Sequence, residues 1–211
     1  MEFPGKKQKV MNVQKALGLS TDGIDGPRTW DAIEETVVKD KPQTVPTTPT
    51  GNTLAEKLVA LAKKEVGVEE VNGTNCGPRV NEYKSATWLD STKSWPWCAA
   101  FICWLFREAM KDGKYSFERP KTAGAYDFEN WCREQDTHVL LKKPHNGDIK
   151  PGDIVIFNFS HIGLAIGNPD SAGYVKTIEG NTDGFGSREG GAVLEKRRKL
   201  SSIRSRIRVV I

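Results

Sequence analysis

The chain has no apolar run of about 18 residues, so no membrane-spanning helix is expected among its 211 residues. Cysteine is scarce. Four cysteines are too few for a disulfide-stapled scaffold. None falls in a C-x-x-C spacing, and only three histidines are present, so a structural zinc site is not expected. Excess charge is also lacking: a formal net charge of +4 does not by itself demand a polyanionic partner. The basic start MEFPGKKQKV has no apolar stretch behind it, so no secretory leader is expected. Synthesis in a reducing cytosol with free thiols follows as the expectation. What is there is a globular composition, with 37% apolar and 27% charged residues, and enough glycine and proline for many turns.

Composition divides the chain. Residues 39–52, KDKPQTVPTTPTGN, hold Pro42, Pro46 and Pro49 among threonines with no apolar periodicity, and read as a semi-extended linker. Before it, residues 1–38 offer two short helices. Val10, Val13 and Leu17 keep helical spacing up to Gly18. Pro27 opens a second helix with Trp30, Ile33 and Val37 on one face. So short a piece buries little core alone. After the linker, residues 53–211 form the body. Thr53 and Glu56 make a capping box ahead of Leu54, Leu58 and Leu61. The spacing predicts a buried helix from Trp97 to Met110 and a third helix capped by Thr122. Short β-rich runs follow: 153–159 and 161–166 as a hairpin joined at Ser160, then 174–179, 192–196 and 203–211. Helices first and antiparallel strands after them predict an α+β fold.

The thiols differ in context. Pro96 makes a helix begin near itself, which puts Cys98 in the first turn. Free backbone N–H groups and the positive dipole end favour a thiolate there. The same amides suit an oxyanion formed when a carbonyl is attacked. The plain alternative is a structural cysteine. Cys103 lies about 140° round the same helix and reads as core, as does Cys132. Cys76 sits in a loop or at a helix start with its role open. His138 and His145 fall in loop-like surroundings. His161 opens the second strand of the apolar hairpin, where an imidazole is held rigidly enough to exchange a proton with a thiol. Glu179 and Asn181, two residues apart on a strand, share a face, and either could accept from the second ring nitrogen.

At these residues the sequence resembles the cysteine, histidine-dependent amidohydrolase/peptidase (CHAP) domains, papain-like enzymes of bacterial wall turnover and phage lysis. The resemblance rests on W-P-W-C-A-A-F at 95–101 and K-P-G-D-I-V-I-F at 150–157. It continues with S-H-I-G-L-A-I-G at 160–167, I-E-G-N-T at 178–182 and I-R-V at 207–209. The stretch with Asn75, Gly77, Pro78, Val80 and Tyr83 looks like one branch of that family. The resemblance implies a papain-like fold, with helices packed on a small antiparallel sheet. It implies Cys98 as nucleophile, His161 as base, Glu179 as the group orienting the imidazole, and Asn181 assisting. Some members carry a calcium loop of alternating aspartates before the cysteine. Here that stretch has Asp90 and Lys93, so metal-independent activity is expected, with no cofactor. Residues 10–37, with V-Q-K-A-L-G-L and D-G-I-D-G-P-R-T, resemble a peptidoglycan-binding repeat on a short scale.

The expected function is therefore peptidoglycan hydrolysis by a monomer that carries a short wall-binding-like module. Its expected activity is N-acetylmuramoyl-L-alanine amidase, with endopeptidase as the alternative. Trp95, Trp97, Tyr83 and Asn75 are candidates for contacting substrate, with core packing as the competing reading for the aromatics. A non-catalytic wall-binding protein is the alternative of another class. Synthesis without a leader fits an endolysin that reaches the wall through a separate pore. The seven Lys/Arg of residues 196–211 raise nucleic acid as a partner. No recognition helix or stacking platform accompanies them, so no nucleic-acid partner is expected.

Overall fold

The computed structural model describes residues 6–16, 18, 21, 53–113, 115–135, 139–142 and 148–210. The chain divides into two units, Met1–Thr50 and Gly51–Ile211. In the first, helix α1 (Lys6–Ala16) ends just before Gly18, which has a φ of 68° and donates its N–H to the Lys15 carbonyl. A glycine suits that left-handed position, and it stops the helix as its place in the sequence suggests. The helix expected from Pro27, the linker at 39–52, His138 and His145 lie outside the described residues.

The second unit is α+β. Helix α2 (Leu54–Glu65) starts on the expected capping box, with the Glu56 amide donating to the Thr53 side chain and the Thr53 amide to the Glu56 carboxylate. Helix α3 (Pro78–Lys84) follows, then α4 (Cys98–Ala109) and α5 (Asp127–Glu134). The strands are β1 (Val139–Lys142), β2 (Ile154–Phe157), β3 (His161–Ala165), β4 (Tyr174–Thr182), β5 (Ala192–Lys199) and β6 (Ile203–Val209). They form one antiparallel sheet in the order β1-β6-β2-β3-β4-β5. Among the described residues no helix is long and apolar enough to cross a membrane.

Helix α4 is apolar nearly all round because it is covered nearly all round. It packs against α2, α3, β3 and β4. Gly180 on β4 makes the approach possible, since a Cβ there would lie 2.8 Å from both Phe101 and Trp97. The opposite face of the sheet carries a smaller cluster built on Val155, Phe157, Ala165, Val175 and Ile203. Strand β2 is thus buried on both faces, which is why it reads as an unbroken apolar run.

Several local expectations shift. Helix α5 begins at Asp127, five residues beyond Thr122, and the Thr122 hydroxyl meets the Asp127 carboxylate at 3.3 Å instead of capping a helix. The hairpin register pairs Phe157 with His161, so Asn158, Phe159 and Ser160 form the connection, with Ser160 at a φ of 56°. All five arginines of the basic C-terminal stretch are paired with acidic side chains of the same unit. Arg197 pairs with Asp170, Arg198 with Glu179, Arg204 with Glu129, Arg206 with Asp148, and Arg208 with Asp153.

Ahead of Cys98, a fully buried lysine ties two loops together. Lys84 Nζ donates to the carbonyls of Asn75 at 2.7 Å and Lys93 at 2.6 Å, and lies 3.4 Å from Cys76 Sγ. Lys84→Met removes those bonds and leaves two carbonyls short of a partner. A loss of about 2–4 kcal/mol is expected, read as a lower urea midpoint with the slope unchanged.

Candidate active site

Cys98 is the first residue of α4, with Trp97 at the cap position and Pro96 before it. Its side chain is nearly buried, yet it lines an open cleft of about 320 Å3. The helix start is fastened from the sheet. The Trp97 amide donates to Asn181 Oδ1 at 2.8 Å. The cysteine therefore stands where the first-turn N–H groups lack helical acceptors.

His161 begins β3 and is fully buried. Its ring stacks near Phe157 and Phe159, with centroids 5.9 Å away in each case. Tyr126 braces the connection before it: the Tyr126 hydroxyl donates to the Asn158 carbonyl at 2.8 Å and accepts from the Ser160 amide at 2.9 Å. His161 Nε2 lies 3.1 Å from Glu179 Oε2, an ion-pair distance without the alignment of a good hydrogen bond. Nδ1 is buried with no hydrogen-bond partner among the described residues. Burial works against a charged ring, but Cys98 and Glu179 outweigh it and hold His161 up at about 9.

Glu179 is fully buried on β4 and multiply held. Thr177 donates its hydroxyl to Oε1 at 2.5 Å. Arg198 donates Nε to Oε1 at 2.9 Å and Nη2 to Oε2 at 2.5 Å. Burial pushes the carboxyl up, while Arg198 and then His161 pull it below its ordinary value. Gly163 faces Glu179 across the β3–β4 pairing. A Cβ at 163 would sit 2.6 Å from Glu179 Cγ. Gly163→Ala is expected to cost about 1–3 kcal/mol through overpacking, seen as a melting temperature several degrees lower.

Asn181 takes a different place from the one expected. The β4–β5 register shifts between Glu179 and Thr182, and Asn181 adopts a φ of 57°. That break removes the simple alternation that would set it beside Glu179. Its side chain serves the Trp97 amide, the Gly190 carbonyl at 2.5 Å and Asn75 Oδ1 at 3.1 Å. Asn75, half-buried at a φ of 54°, is thus a partner of Asn181 and, through its carbonyl, of Lys84.

The aromatic candidates separate. Trp95 is 46% exposed and lines the cleft. Tyr83 and Trp97 are fully buried, which corrects the expectation that they form a groove wall. The Tyr83 hydroxyl donates to Glu65 at 2.5 Å, and its ring packs on Trp97, Phe101 and Trp104. The Trp97 indole N–H donates to Glu70 at 3.1 Å. Trp88, 72% exposed, and Arg188, ion-paired with Glu189 at 3.0 Å, also line the cleft and were not picked out from the sequence. Both lie in irregular segments with no periodicity to reveal a face. Among the described residues no cluster of three or more His, Cys, Asp or Glu gathers as a metal site.

No family model matches the chain, and no curated protein matches it. Among solved structures it is similar to the crystal structure of a wild-type endolysin, LysIME-EF1, at 14% identity and a TM-score of 0.46. The match covers 74% of this chain and 63% of that one, so the chain spans under two thirds of that protein's length.

Proposed function

We propose that the chain is a cysteine-dependent peptidoglycan hydrolase of the CHAP kind, acting as an N-acetylmuramoyl-L-alanine amidase. The observation that carries this reading is a fully buried His161, 3.1 Å from Glu179 and held up in pKa by Cys98 and Glu179 together, with Cys98 at a helix start on an open cleft. The five motif blocks supply the substrate class. The cleft offers Trp88 and Trp95 as exposed aromatic faces and Arg188 as a cation, groups suited to a glycan that carries a charged peptide.

In this mechanism the Cys98 thiolate attacks the carbonyl carbon of the amide, and an S–C bond forms. The negative oxygen is held by N–H groups of the first turn of α4. His161, charged beside the thiolate, gives its proton to the leaving nitrogen as the C–N bond breaks. The amine leaves and a thioester remains. His161, now neutral, takes a proton from water, and the resulting hydroxide attacks the thioester. The S–C bond breaks, the carboxylic acid leaves and gives up its proton to solvent, and the thiolate–imidazolium pair is restored. Glu179 compensates the charge on the ring at each stage in which His161 is protonated. The short N-terminal unit, by its resemblance, would add wall affinity, and the protein would act on the wall as a monomer after synthesis in the cytosol.

The bond is tested by mass spectrometry of ends released from purified peptidoglycan. New L-alanine amino termini on intact stems are expected. Ends within stems or bridges would reassign the activity to an endopeptidase. Binding without release, across walls of different bridge chemistry, would favour a wall-binding protein.

A further inference from the structure

We propose that Arg198 is a positioning residue for the Cys98–His161 pair: it fixes Glu179 as an ionised carboxylate behind the imidazole, one strand further out. The inference rests on the reading of Cys98 and His161 as the reacting pair, and goes beyond it by naming what sets their charge.

The geometry puts Arg198 in control of the carboxylate. Its Nε and Nη2 form a two-pronged contact with Oε1 and Oε2, at 2.9 Å and 2.5 Å. Thr177 takes a further position on Oε1. Thus the well-directed bonds of Glu179 go to Arg198 and Thr177, while His161 has proximity at 3.1 Å without good alignment. Strand alternation explains the grouping: Thr177 and Glu179 share a face of β4, and Arg198 stands opposite Val175 on that same face.

Arg198 is itself held. Both terminal nitrogens lie 3.1 Å from the Gly186 carbonyl. Its guanidinium carbon is 5.2 Å from the ring centroids of both Phe157 and Phe159, the two rings stacked near His161. The side chain is 13% exposed. A guanidinium does not give up its proton, so Glu179 keeps a permanent cation at all working pH values. Without it, a fully buried carboxyl would tend to take a proton, and a neutral partner cannot stabilise an imidazolium. The charged and titratable groups around the pair are Cys98 on α4, Glu179 on β4, Arg198 on β5, and Asp127 and Arg188 on the cleft wall.

The test is iodoacetamide alkylation of the full chain from pH 5 to 10, read at the Cys98 peptide by mass spectrometry, for the wild type, Arg198→Met and Arg198→Lys. Thermal melts accompany each variant. The wild type is expected to react with a midpoint well below the ordinary thiol value of about 8.5. Arg198→Met is expected to move the midpoint up by about one pH unit, roughly a tenfold loss of reactivity on the acid side. Arg198→Lys keeps a cation but not the fork, and is expected to fall between the two. It carries the test should Arg198→Met melt below the assay temperature. A folded variant of either kind with the wild-type midpoint would overturn the positioning role. A wild-type midpoint at the ordinary thiol value would instead overturn the pairing of Cys98 with His161.

Discussion

His161→Ala is expected to lower the rate of wall cleavage by about 10^4. Two demands fall on this one ring. It keeps the thiol ionised, and it carries the proton that the leaving nitrogen needs. Its pKa is raised to about 9 by Cys98 and Glu179 against the opposing effect of burial. The ring is therefore charged at neutral pH, ready to give its proton. Loss of the imidazole removes the thiolate and the general acid together. The double variant with Cys98→Ala is accordingly expected to be little worse than either single one, because the two residues act as a unit. Clearance of a peptidoglycan suspension measures the rate, and a melt of each variant separates catalysis from folding. Full additivity in the double variant would mean that the two side chains act separately.

Glu179→Gln is expected to cost about 3–5 kcal/mol of stability, because it leaves Arg198 with a nearly buried charge and no counter-ion. For a domain of this size that is a fall in melting temperature of about 10 °C. The pH dependence follows from the direction of the Glu179 shift. Its carboxyl is held below the ordinary 4.5, so its contribution is present above that value and is lost as pH falls through the lowered one. His161 works in the opposite sense. With its pKa raised from 6.5 to about 9, its contribution is fully present below 6.5 and is lost as pH rises through 9. Wild-type stability should therefore fall on both sides of neutrality. Glu179→Gln should flatten the acid limb and weaken the alkaline one. Melting curves at half-unit pH steps check this, and an unchanged acid limb would contradict the account.

The sequence carried the helix starts well, because their chemistry is local. Thr53 with Glu56, and Pro96 before Cys98, announce their helices within a few residues. The apolar hairpin was legible for the same reason, though Phe159 and Ser160 belong to its connection. Strand β1 was missed, since four residues of Val-Leu-Leu-Lys have no period long enough to tell strand from helix. The site divides in the same way. Cys98, His161 and Glu179 stand out through their immediate neighbours. Asn181 was placed by alternation, and the register shift after Glu179 breaks alternation at that point. Tyr83 and Trp97 show that an aromatic residue near a nucleophile is no guide to exposure. Burial depends on α3 and on Gly180, which lets α4 press against the sheet. Arg198 was hidden in a basic run that reads as a solvated face. Only the pairing of β4 with β5 brings it to Glu179, 19 residues away in the chain.

The central claim is that Cys98 forms the bond to the substrate. It is tested most directly by digesting one purified peptidoglycan with the wild type and with Cys98→Ala, and counting released ends by mass spectrometry. Release by the wild type alone is the predicted result, with the variant at background and melting near the wild-type temperature. Equal release by both proteins would contradict it.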